Sequence, residues 1–360
     1  MKIYLLYGEQ ENMKRMINFL LENANPSIVY RVKKEILQDI SVEEENNLQE
    51  QIMSEKIVQS IIDCQKENGW LGNGFHGSNR NAGQYENQET GVKYLAEKGV
   101  CKDAPILTRA MTAFVEIPLT DLCYRTKGKY FDEFKYAANG QNIIRCACIA
   151  RAGYEDSIDI QPQIQLSLDS FRRVLEVDSI LDITRLVKKG TKRVFNNYEK
   201  WPCRYHLDIL AHTYSWRTEE NIKMLAEAVH KIMCTDRPEL VGVHADSWVG
   251  YVLGTVGCFP SQGFKVVEDI DGVLHYHMEY LVWLAKCGIV KYSPILQDIV
   301  EQIVNSVNDE GICEIAVRDD IFKGWGPYAG LQLEEDWKSK KRRNCDVTFR
   351  ALQLCYYAGL

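Results

Sequence analysis

One stretch of this chain occurs twice. Leu95-Ala96-Glu97-Lys98-Gly99-Val100-Cys101-Lys102-Asp103-Ala104-Pro105-Ile106-Leu107 aligns without a gap on Leu284-Ala285-Lys286-Cys287-Gly288-Ile289-Val290-Lys291-Tyr292-Ser293-Pro294-Ile295-Leu296, with seven of thirteen positions identical. In both, an apolar helical run stops at a glycine, which accepts the left-handed backbone of a helix C-cap. A proline then opens the next helix, where its fixed φ fits and its missing N–H is not needed. The unit is a helical hairpin, and repeated hairpins restrict the fold to a stacked or ring-like array. Fainter copies are Ile149-Ala150-Arg151-Ala152-Gly153 with Pro162 after a longer loop, Leu210 to Trp216 with Thr218 opening a helix, and Tyr357-Ala358-Gly359-Leu360. The punctuating positions lie roughly 55 to 75 residues apart, longer than a TPR or ankyrin unit.

The remaining patterning is also helical. Met13, Met16, Ile17, Leu20 and Leu21 follow helical spacing, and Asn25-Pro26-Ser27 ends that helix and starts another. Ser41-Val42-Glu43-Glu44 reads as a capping box opening a helix to about Met53, followed by one from Lys56 to Gln65. Strand-like alternation is scarce, so the expected class is all-α. The expected division is N-terminal HEAT-like helical hairpins over residues 1–54, packed on a repeat domain over 55–360.

The formal charge of −7 provides no global basic balance for a polyanion, which argues against a nucleic-acid binder. The twelve cysteines are scattered, without a CxxC pair, and read as buried thiols of a reducing, cytoplasmic compartment. The N-terminal run Ile3 to Tyr7 is too short for a signal-peptide core, and no stretch is apolar enough to insert in a membrane. GxSxG, P-loop, HExxH and dinucleotide fingerprints are absent from the sequence. It names no cofactor and no metal site.

A second motif precedes the first hairpin, Cys64-Gln65-Lys66-Glu67-Asn68-Gly69-Trp70-Leu71-Gly72, with a degenerate copy at Val307-Asn308-Asp309-Glu310-Gly311-Ile312. The pattern resembles the QW-type repeat of squalene-hopene cyclases and of protein prenyltransferase β subunits, over about residues 55 to 360. The resemblance implies an α/α toroid with a central cavity for a small-molecule ligand, an isoprenoid or its diphosphate. The signature catalytic motifs are not matched. Asp269-Ile270-Asp271-Gly272 lacks the third aspartate of the cyclase acid, and Cys345-Asp346-Val347-Thr348-Phe349-Arg350 lacks the histidine of the prenyltransferase zinc site.

Candidate site residues follow from chemistry and repeat position. His76, in the glycine- and asparagine-rich loop from Gly69 to Tyr85, can pair with Glu86 or Glu89 at the next helix start for acid–base work. His277 and Glu279 stand at the equivalent place before the second hairpin. Trp70, Trp248 and Trp325 are candidate aromatic walls able to face a cation, and His206 a candidate lining residue. Arg342 and Arg343, within the basic run Lys340 to Arg343, can hold an anionic group. Asp346 is expected to N-cap the last helix, and His212 to be a core histidine. Three functions are compatible with these readings: an enzyme acting on a hydrophobic or anionic ligand, a non-catalytic scaffold with a protein partner, or a polysaccharide lyase or hydrolase on the same fold.

Overall fold

The computed structural model describes residues 2–75, 85–118, 141–187, 190, 192–196, 199–235, 241–242, 253–254, 259, 278–315 and 332–360. The chain is mostly helical. The helices are α1 Lys2–Asn23, α2 Pro26–Arg31, α3 Val42–Ser54, α4 Lys56–Asp63, α5 Gln88–Glu97, α6 Pro105–Glu116, α7 Gln141–Arg151 and α8 Gln161–Glu176. They continue with α9 Arg204–Ala211, α10 Glu219–Cys234, α11 Met278–Lys286, α12 Pro294–Asn305 and α13 Lys340–Ala358. One departure is an antiparallel hairpin, β1 Thr184–Val187 with β2 Lys192–Phe195. Its alternation around Lys188-Lys189-Gly190-Thr191 is visible in the sequence once sought.

Several boundaries follow local chemistry. Asn25 caps α2 by accepting from Ile28 N at 3.1 Å, with Pro26 in the first turn. Ser41 caps α3 by accepting from Glu44 N at 3.2 Å. The last helix is capped in the same way by Ser339, which accepts from Arg342 N at 3.2 Å. Asp346 therefore lies inside α13 and is not its N-cap, which corrects the expectation from sequence.

Two compact units are present: Met1–Ala113 with Lys265–Ala285 and Leu296–Leu360, and Phe114–Phe264 with Lys286–Ile295. In the first, α1 packs on α13, α13 on α2, α2 on α3 and α3 on α4. Met16, Leu20, Ile28, Val32, Ile52, Val58 and Ile61 are fully buried there. Each such side chain contributes about 1.5–3 kcal/mol by leaving water. In the second unit α7 packs on α9, α9 on α8 and α8 on α10.

The repeat is physical as well as textual. In the first copy, Lys66 N donates to Trp70 O at 2.9 Å and Gly69 N to Lys66 O at 2.9 Å. In the second, Asn308 N donates to Ile312 O at 3.0 Å and Gly311 N to Asn308 O at 3.0 Å. Gly69 and Gly311 have φ of +85° and +81°. A Cβ on either would lie 2.2 Å from a helix carbonyl, that of Arg109 on α6 and that of Arg15 on α1. Both arginines hold their turn: Arg109 Nη2 donates to Lys66 O at 2.9 Å, and Arg15 Nη1 to Asp309 Oδ1 at 3.0 Å. A further contact of each turn matches too. Gln88 on α5 accepts from Leu71 N at 2.7 Å, and Thr348 on α13 accepts from Cys313 N at 3.0 Å. Thus α1 and α13 stand to the second turn as α6 and α5 stand to the first.

Candidate functional site

His76, His277, Trp248 and Trp325 lie outside the described residues. Glu89, fully buried on α5, is paired with Lys93 one turn on at 3.2 Å. Glu279 is in the first turn of α11. Trp70 is buried, its ring 6.0 Å from that of Phe75. Arg342 pairs with Glu335 at 3.0 Å and Asp336 at 2.6 Å, and Arg343 follows it in the first turn of α13. Positive charge opposes the dipole at a helix start, and the two acidic partners offset it for Arg342.

His206 has a defined local duty. Its Nδ1 accepts from Cys203 N at 2.9 Å, closing the N-terminus of α9, so the proton sits on Nε2, 3.4 Å from Ser170 Oγ. Burial pushes its pKa down to about 3, which keeps the ring neutral.

The densest group of perturbed titratable residues in the first unit is elsewhere, where segment 332–337 crosses α5, α13 and the α1–α2 junction. Asp346 on α13 accepts from three donors: Leu333 N at 3.0 Å, Glu334 N at 3.1 Å and Trp337 Nε1 at 2.6 Å. Lys98, at the end of α5 and fully buried, reaches the Glu55 carboxylate and the Leu333 carbonyl. Glu55 also accepts from Ser27 Oγ at 3.1 Å. Glu334 accepts from Asn25 N at 2.9 Å and is 3% exposed.

Three carboxyls, Glu55, Glu334 and Asp346, thus surround one buried lysine. Burial disfavours their charged forms, and the charges of Lys98, Arg350 and Arg342 offset only part of that cost. Burial raises Asp346, partly countered by its donors and the Arg350 charge, and raises Glu55, partly countered by Lys98 and Ser27; burial lowers Lys98. Glu334 is raised to about 7, by burial first, with the negative charge of Asp346 adding to it. Beside the group, the Tyr94 ring lies 4.3 Å from that of Tyr85 and 5.8 Å from the Lys98 ammonium. The Tyr94 hydroxyl is buried with no hydrogen-bond partner among the described residues. Burial and the Asp346 charge push Tyr85 up to about 12.

Chemically, this is a carboxyl raised by burial to about 7, beside a second buried carboxyl that burial also raises and three donors hold. Buried carboxyls with perturbed pKa values are the groups that acid–base chemistry draws on. The sequence signal for it was thin. Glu334-Glu335-Asp336 reads as an exposed acidic run, and Asn25, 309 positions away, gives no hint of contact. No three His, Cys, Asp or Glu side chains among the described residues converge to hold a metal ion.

These features describe a mostly helical protein with two turns of matching geometry and a buried group of carboxyls near Lys98, drawn from Glu55, segment 332–337 and α13. Family models, curated proteins and solved structures were compared with the chain, and none matches.

Proposed function

We propose that the chain is an enzyme of the α/α-toroid type in which Glu334 moves a proton to or from an apolar organic substrate of the isoprenoid class. The observation that carries this reading is the Glu334 carboxyl itself, buried, held by Asn25 N, and pushed up to about 7 by burial beside Asp346. A general acid or base works best with a pKa near the operating pH. Tyr94 and Tyr85 offer an aromatic surface beside it, and the Tyr94 hydroxyl a donor for a ligand oxygen. The equivalent turns at Gly69 and Gly311, each clamped by an arginine, support the toroid, because α1 then completes the hairpin that α13 begins. The isoprenoid assignment rests on the QW-like turns.

A scaffold is the second reading, and one observation favours it. Buried charges in the first unit are matched by partners, as in Arg31–Glu97 at 2.9 Å and Arg350–Glu97 at 3.0 Å, which is also how a structural core behaves. Thermal melting with farnesyl diphosphate plus magnesium, and separately with acidic and neutral oligosaccharides, discriminates the two. Binding at a hundred times Kd stabilises by about 2.7 kcal/mol. The enzyme reading expects a saturable rise with the isoprenoid that Glu334→Gln retains, together with turnover that Glu334→Gln abolishes. A rise only with saccharides moves the substrate class. No rise with any ligand favours the scaffold.

A further inference from the structure

The β-hairpin of the second unit carries charge opposite to that of the whole chain. Between Thr184 and Phe195 stand Arg185, Lys188, Lys189, Lys192 and Arg193 and no acidic residue, in a protein of formal charge −7. Arg185 and Lys192 are exposed. Arg185 Nη1 donates to Phe195 O at 3.0 Å and Arg193 Nη1 to Thr184 Oγ1 at 3.0 Å, both neutral acceptors. Among the described residues Arg185, Lys192 and Arg193 are in no ion pair, so their charge is not neutralised locally.

The ladder also leaves one edge open. Asn196 N donates to Ile183 O at 2.8 Å, so the hydrogen-bonded pairs that follow are Arg185 with Val194 and Val187 with Lys192. In the pairs between them, Thr184–Phe195 and Leu186–Arg193, the main-chain groups point away from the ladder. On the β2 side those groups are used: Phe195 N donates to Gly242 O at 3.0 Å, and Gly242 N to Arg193 O at 2.8 Å. On the β1 side Thr184 N donates to Leu181 O at 3.3 Å in the preceding turn. The Leu186 N–H and C=O have no strand beside them among the described residues. Leu186 is 56% exposed, and Leu181, at the start of the same edge, is 44% exposed.

We propose that the outer edge of β1 docks an extended segment of a partner protein in which acidic and apolar residues alternate. The segment adds a third strand through the Leu186 main chain. Successive side chains of a strand point to opposite faces. Acidic positions then share a face with Arg185 and Lys192, and apolar positions cover Leu186. Charge decides the occupant. A second copy of β1 brings like charges together, which destabilises cross-strand pairs. Lysine at an edge can serve only to prevent such self-pairing, but that role gives no use to two exposed leucines, which an incoming strand covers. A nucleic acid meets the charge and leaves the Leu186 main chain unused, and Phe195, the aromatic residue of the hairpin, is buried and offers no base a stacking face. The inference is independent of the role given to Glu334.

The test is fluorescence anisotropy on the full chain with a short labelled peptide of alternating glutamate and valine, its lysine–valine counterpart and a labelled oligouridylate. The glutamate peptide is expected to bind saturably, more weakly as salt rises, and the other two not to bind. Leu186→Pro removes an outward N–H and leaves the ladder bonds in place, since proline is accepted on a solvent-facing edge. It is expected to weaken binding about tenfold, and Arg185→Glu by a similar factor. Hydrogen exchange on the wild type needs no variant to fold, and the Leu186 amide is expected to become protected when the glutamate peptide is added. Absence of binding by that peptide, equal binding of the lysine peptide, or a Leu186 amide left unprotected in the complex overturns the proposal. Oligouridylate bound as tightly as the glutamate peptide, and retained by folded Leu186→Pro, overturns it for a polyanion surface. A wild-type dimer that Leu186→Pro abolishes overturns it for a second copy of this chain.

Discussion

At the scale of single residues, the account rests on how buried charge is matched. Glu97 lies between two arginines, 2.9 Å from Arg31 and 3.0 Å from Arg350, all of them buried. Replacing Glu97 by Gln removes the buried negative charge that both guanidiniums share, leaving Arg31 on Glu35 and Arg350 on Gln353, and is expected to cost about 3 kcal/mol in urea unfolding, the lower end of what breaking a buried pair costs. Glu334 behaves differently, because its folded-state pKa is raised from 4.5 to about 7. A raised value means that its contribution to stability is complete below the unfolded value and is lost as pH rises through about 7. Wild type is therefore expected to lose about 3 kcal/mol relative to Glu334→Gln between about pH 5 and pH 8. Parallel profiles for the two proteins would remove the basis of the acid–base reading.

At the scale of elements, the repeated turn makes its own prediction. Gly69→Ala and Gly311→Ala each drive a Cβ to 2.2 Å from a helix carbonyl at positive φ. Gly153 has φ +78° with nothing within 4 Å of the added Cβ. Gly153→Ala is expected to cost about 1–2 kcal/mol of backbone strain alone, and the other two more than about 3 kcal/mol, similar to each other. Equal losses at all three positions would mean that the turns do not dock on α6 and α1 as described. The elements that were legible in the sequence are those set by neighbours in the chain: the Asn25-Pro26 break, the Ser41 cap and the Gly99–Pro105 hairpin. The site was less legible because its contacts are long-range. Asp346 looks like a helix cap, yet its donors come from the folded-back segment 333–337. Arg15 resembles any arginine on an amphipathic helix until the turn at Gly311 is placed against it. Glu89 reads as an acid beside His76, and Lys93 four residues on, at ion-pair spacing, is the signal for its burial as a pair.

At the scale of the whole molecule, these groups shape its response to pH from both sides. His206 and His212 have folded-state pKa values of about 3 and about 4, below the ordinary value of 6.5. A depressed histidine contributes stability that is present above its unfolded value and lost as pH falls towards the folded one. Melting temperature is thus expected to fall as pH drops from about 6.5 towards 4, and His206→Gln, if folded, to shallow that limb. An acid limb no shallower in that variant would show that other groups set it. On the alkaline side Glu334 sets the decline, and its titration is also the central claim. The most direct measurement is carboxyl carbon NMR of the protein labelled at glutamate side chains, titrated with Glu334→Gln as the assignment control. One resonance missing from the variant and titrating with a midpoint near 7 is the result expected here. A Glu334 resonance titrating near 4.5 would contradict the acid–base account of the site.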